Sequence, residues 1–169
     1  MPEQQKTPTP RFCKQLTLIV ATIFIAGVTA TLIQYNKLPA SIPILQSFKS
    51  EHAQFGPKIA IFYLPFIGFM LFLLLHYLEM KAAYPILRKN KPTLSHTQRQ
   101  NGIITFCLIK NSILLYFTYS LFNDLTVALG HNRILQQWHA YLFLFIVSTI
   151  FIMGIVRGIM LGKKENKVK

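Results

Sequence analysis

Charged side chains inside long apolar stretches are where this sequence could do chemistry, because an ionised group in hydrocarbon costs about 2.5–3.5 kcal/mol or more unless paired or hydrated. Lys110, Asp124 and Arg157 are of this kind. Asp124 follows Tyr116, Tyr119, Ser120 and Asn123 at helical spacing. Such a polar stripe faces neighbouring helices, either as interhelical hydrogen-bonding glue or as the wall of a hydrated cavity. Proton or ion coupling would need a deep carboxylate with a partner, and the other spans have no Asp or Glu in their central portions. Lys110 lies roughly 10 Å along a helix from Ile103. From there its stem can snorkel to the membrane surface or meet Glu79 at the same level of the preceding span.

Enzyme signatures are missing from the pattern. There is no HExxH, no GxSxG and no phosphate-cradling glycine loop, and His52, His76, His96, His131 and His139 are scattered. Cys13 and Cys107 stand apart without metal-ligand spacing, so neither a disulfide framework nor a zinc site is indicated. The residues point to a non-enzymatic protein without a cofactor or bound metal.

These side chains are positioned by long apolar helices. The chain of 169 residues is 52% hydrophobic and only 14% charged, a balance that suits a bilayer better than a soluble bundle with a charged face. A spanning helix needs about 20 mostly apolar residues, and four stretches meet that condition, predicting helices over about 16–34, 59–79, 103–129 and 139–161. The expected fold is all-α, a single four-helix transmembrane bundle over 15–162 between basic tails at 1–14 and 163–169. The first tail, with Pro2, Pro8 and Pro10, reads as disordered. The first span is an uncleaved helix or a signal peptide processed near Val28-Thr29-Ala30. Pro65 lies inside the second span and should kink it. The third helix is expected to begin near Thr97, outside the membrane, and to enter it near Lys110. Trp138 and Tyr141 mark the start of the fourth span as interfacial anchors.

The net charge of +13 does not describe a nucleic-acid binder, because the cations lie between apolar spans rather than along one face. Thirteen of the eighteen Lys and Arg fall in the first tail, the middle loop and the C-terminal end from Arg157 onward, and four in the other two connectors. That asymmetry places both termini in the cytoplasm. Gly154, Gly158 and Gly162 form one face of the fourth helix, where small residues let two backbones approach closely. Another helix of the same chain or a second copy could fill that face. Arg157 beside it would reach toward lipid phosphates.

The first connector reads Tyr35-Asn36-Lys37-Leu38-Pro39-Ala40-Ser41-Ile42-Pro43 and is followed by Gly56-Pro57-Lys58 where the second span opens. Its two prolines, flanked by Leu38 and Ile42, make a rigid, poorly solvated turn suited to recognition or packing. The pattern resembles the domain-of-unknown-function family sixteen forty-eight, the front part of Sdp-type immunity membrane proteins. Tyr84-Pro85, Gln98 and Ala128-Leu129-Gly130 continue the family's spacing, so the resemblance covers most of 35–161. Leu45 stands where family members usually carry a histidine.

The resemblance implies a multi-pass protein of the bacterial plasma membrane that protects the cell from a membrane-active peptide or relays its presence. The residues themselves support a non-enzymatic membrane module contacting a peptide or protein partner at the outer connector. The alternatives are a small proton- or ion-coupled transporter and an accessory subunit of a membrane complex. The topology is checked by reporter fusions after Met1 and Lys169. Both are expected on the cytoplasmic face, and signals from opposite faces would overturn the four-span reading.

Overall fold

A computed structural model describes residues 7–45, 54–83, 95–131 and 138–166. Its helices are α1 (Arg11–Gln34), α2 (Tyr63–Ala82), α3 (His96–Ala128) and α4 (His139–Asn166), and a small antiparallel hairpin pairs β1 (Ser41–Leu45) with β2 (Gln54–Pro57). All four helices are long and apolar enough to cross a membrane. The protein is a multi-pass membrane protein with an all-α fold of four packed spans.

Local chemistry sets the helix ends. Pro10, extended at ψ 143°, precedes α1, which therefore starts at Arg11 and takes in Lys14. The expected disordered tail is ordered from Thr7, whose N–H donates to the Ala83 carbonyl at 3.1 Å at the end of α2. A 3₁₀ turn over Tyr35–Lys37 ends the first span, with Leu38 extended ahead of Pro39. A second 3₁₀ segment, Lys58–Phe62, leads into α2. Pro65 consequently falls in the first turn of α2, where no intrahelical partner is needed for the missing N–H. The expected proline kink is replaced by this 3₁₀-to-α transition.

Ser95 and Gln98 cap α3 reciprocally. The Gln98 N–H donates to Ser95 Oγ at 3.2 Å, and the Ser95 N–H donates to Gln98 Oε1 at 3.1 Å. At the far end Gly130 adopts φ 83°. Its N–H donates to the Val127 carbonyl and the His131 N–H to the Thr126 carbonyl, both at 3.0 Å, a left-handed stop that favours glycine. With 33 residues, α3 is roughly 50 Å long, well beyond about 30 Å of hydrocarbon.

The long helix is the hub on which α1, α2 and α4 each pack, while α1 and α2 barely touch one another. Lipid tails are as apolar as leucine, so helices in a membrane associate through close packing and polar contacts rather than hydrophobic expulsion. Each outer helix accordingly brings a glycine to α3. A Cβ on Gly27 would lie 3.2 Å from Phe122 and Thr118, one on Gly68 2.5 Å from Phe117, and one on Gly154 2.5 Å from Thr105. Hydroxyls inside the spans bond back to the preceding turn, as Thr31 Oγ1 does to the Gly27 carbonyl at 3.0 Å and Thr118 Oγ1 to the Leu114 carbonyl at 2.7 Å.

Gly68→Ala is expected to destabilise the protein by about 1–3 kcal/mol through overpacking against Phe117. Gly102→Ala, whose Cβ would meet only Ala82 at 3.9 Å, should be nearly neutral. Thermal unfolding in detergent checks the pair, and equal midpoints would remove the close-approach explanation.

Candidate functional site

The most concentrated intramembrane polar group joins α2 and α3 near the end of the fold that carries the termini. Lys110, 2% exposed, places Nζ 2.5 Å from Glu79 Oε2 and 3.1 Å from His76 Nδ1. The carboxylate is 5% exposed and is held by charge rather than by an aligned hydrogen bond, with His76 Nδ1 also 3.6 Å from Oε2. Helical side chains tilt toward their own N-terminus. Lys110 therefore leans toward the start of α3, and Glu79 leans inward from the end of α2, so two antiparallel helices bring the charges together. Because Lys110 donates to Nδ1, His76 is assigned as the neutral tautomer with its proton on Nε2. Its ring stacks on Phe72 at 6.2 Å, and Lys110 Nζ lies 5.4 Å from the centre of the Phe72 ring.

This cluster borders a cleft left between α1 and α2, which meet at the Phe24 and Phe69 rings, stacked 6.0 Å apart. Toward the termini the cleft is a cavity of about 420 Å³ lined by Thr9, Lys14, Thr17, His76, Glu79 and Lys110 among others. Deeper in, and sharing Ala21, lies a cavity of about 500 Å³ whose walls include Phe24, Phe66, Phe69 and Phe72 and present no polar surface. Both volumes fall within the roughly 300–1,000 Å³ of small-molecule sites.

The connector motif has a different place. Leu38 and Ile42 are buried with Ile61 against Leu121, Leu125 and Ala128 at the far end of α3. Gly56 pairs with Ile42 across the hairpin, and Pro43, which has no N–H to give, pairs with Phe55. Lys58 donates its backbone N–H to the Ala40 carbonyl at 3.2 Å and sets its ammonium 4.6 Å from the centre of the Tyr35 ring. Pro39 is exposed, as is Phe55. Residues 46–53, and the Tyr84-Pro85 pair of the family spacing, lie outside the described residues.

The polar stripe of α3 faces the start of α4. Tyr116 stacks on Phe143 at 4.1 Å, and Tyr119 meets His139 edge-on at 5.6 Å. Asn123 is buried and Asp124 half-buried, and both engage neighbouring groups. Neither joins the Glu79–Lys110 cluster. Along the glycine series Asn101 Nδ2 donates to the Gly154 carbonyl at 2.8 Å and Gln98 Nε2 to that of Gly158 at 3.4 Å. A Cβ on Gly162 would lie 2.5 Å from Gln98 Nε2. The glycine face of α4 is thus occupied by α3 of the same chain, and a second copy would have to use another face. Arg157 is exposed beside it.

Cys13 and Cys107, far apart in sequence, meet where α1 crosses α3, with Cys107 Sγ 3.8 Å from the Cys13 carbonyl. Thr17 Oγ1 accepts from Asn111 Nδ2 at 3.1 Å one turn further in. The sequence reading missed both contacts, as well as His76. Recurrence at the same spacing, 13 to 17 in one span and 107 to 111 in the other, was the available signal. Among the described residues no group of three or more His, Cys, Asp and Glu could hold a metal ion. No family model matches the chain, and neither does any curated protein or solved structure.

Glu79→Gln or Lys110→Met, each stranding one buried charge, is expected to lower stability by about 3–5 kcal/mol, whereas the double substitution should recover most of that loss. Unfolding of the four proteins in mixed micelles measures the coupling. Additive losses would show that the two charges do not act as a pair.

Proposed function

We propose that this chain is a non-enzymatic plasma-membrane module that protects against, or relays the presence of, a membrane-active peptide, and that its hairpin end is the contact surface. The reading rests on one observation: Leu38 and Ile42 anchor the hairpin on α3 while Pro39 and Phe55 stay exposed on it. A two-stranded ribbon alone is marginal in water. Clamped on a helix end it becomes a rigid platform, and an exposed aromatic on such a platform is the kind of anchor that contributes heavily to binding. The connector's resemblance to the front part of Sdp-type immunity proteins supports the same role. The cation asymmetry of the loops supports a cytoplasmic location for both termini, which would turn the hairpin outward.

The experiment is survival of a deletion strain challenged with membrane-active peptides and complemented by variants. Phe55→Ala and Pro39→Ala are expected to lower protection at least tenfold, the loss of one anchor worth about 1.4 kcal/mol or more, with unchanged membrane abundance. Leu38→Ala should instead reduce abundance by leaving a cavity under the hairpin. Full protection by both Phe55→Ala and Pro39→Ala would show that the platform is not the contact surface.

A further inference from the structure

We infer that the cleft between α1 and α2 is a binding site for an anionic phospholipid, one acyl chain lying along the phenylalanine-lined cavity and the phosphate seated at Lys14, His76 and Lys110. The two cavities meet at Ala21 and divide by chemistry. The deeper one is walled by carbon, and the one toward the termini holds the polar groups that the described residues bring to the cleft. A bilayer lipid has the same division along its length, with the polar end at the interface and the chain in the core.

Charge selects the head. Among the described residues Glu79 is the only acid lining the polar cavity, and Lys110 neutralises it. That leaves Lys14, which lines the same cavity as His76, without an acid among the described residues to compensate it there, and the tautomer of His76 frees an Nε2–H donor. Lysine has three N–H donors, and the Lys110 ammonium pairs with Glu79 by charge and donates to His76 at the border of this cavity. A phosphodiester satisfies these donors and supplies the missing negative charge, whereas a zwitterionic lipid brings an added cation with it. The hydroxyls of Thr9 and Thr17 border the same space.

The test uses the full-length protein in phosphatidylcholine vesicles, with Trp138→Phe removing the one native tryptophan and Phe66→Trp reporting from the cleft. Ile25→Trp reads the same cleft from α1 should the first reporter fail to fold. Dibrominated phosphatidylglycerol at a small mole fraction is expected to quench the reporter with about fivefold higher apparent affinity than dibrominated phosphatidylcholine, the preference that one added cation near the surface supplies. Lys14→Gln, on an exposed side chain, should bring the ratio close to one, and His76→Gln should lower it. Soluble glycerol phosphate should not displace the lipid. Equal quenching by both lipids means ordinary annular lipid and overturns the inference, as does selectivity unchanged in both variants. Displacement by glycerol phosphate would assign the site to a free phosphate ester instead. The assay contains no peptide and leaves the hairpin intact, so its outcome is separate from that of the protection experiment.

Discussion

Close approach of three helices to the backbone of α3 is the constraint on which the rest of this structure depends. In water such a bundle would be held by expulsion of apolar side chains, but lipid offers no such drive and leaves packing and polar contacts to supply the cohesion. Gly27, Gly68 and Gly154 sit where α1, α2 and α4 cross α3. Each removes the side chain that would otherwise hold the two axes apart. The polar contacts then become short enough to form, as when Asn101 reaches the Gly154 carbonyl and Asn111 reaches Thr17.

The buried ion pair depends on the same geometry. Lys110 and Glu79 lie on neighbouring antiparallel helices, and the opposed tilt of their side chains lets the two charged ends meet. A pair of this kind is weak evidence for stability, because desolvating two charges offsets much of their attraction. Its clearer consequence is spatial. Holding α2 against α3 through Glu79, while α1 is held to α3 through Cys13, Thr17 and Gly27, leaves α1 and α2 splayed with the cleft between them.

The spans were legible in the sequence because hydropathy over about 20 residues is a strong signal. The start of α3 near Thr97 and the level shared by Lys110 and Glu79 followed from charge placement and helical rise. The hairpin was not legible. Its strands are short, one carries Pro43, and its pairing is fixed by docking on α3 rather than by alternation along the strand. Pro65 was read as a kink because hydropathy does not distinguish a 3₁₀ segment from the α-helix that follows it. Gly27 and Gly68 are isolated glycines without the repeat that made Gly154, Gly158 and Gly162 visible, so only the crossing itself shows why they are small. The cleft depends on how α1 and α2 are rotated about α3, which the sequence pattern leaves open.

The position of α4 decides what that cleft opens onto. Its residues line neither cavity, and it packs on α3 through the glycine face and the Tyr116–Phe143 stack, with its remaining surface exposed. Had α4 lain against α1 and α2, as in a closed four-helix bundle, the phenylalanine-lined space would be an internal cavity, and an empty one would forfeit the dispersion contacts of its whole lining. Packed where it is, α4 leaves the space open sideways among the described residues, at the depth of hydrocarbon. An opening at that depth is filled by acyl chains rather than water. The lining therefore loses no contacts, and Phe66, exposed in the isolated chain, gains an apolar neighbour in the bilayer. The splayed arrangement is thus stable in a membrane for the same reason that it would be unstable in water.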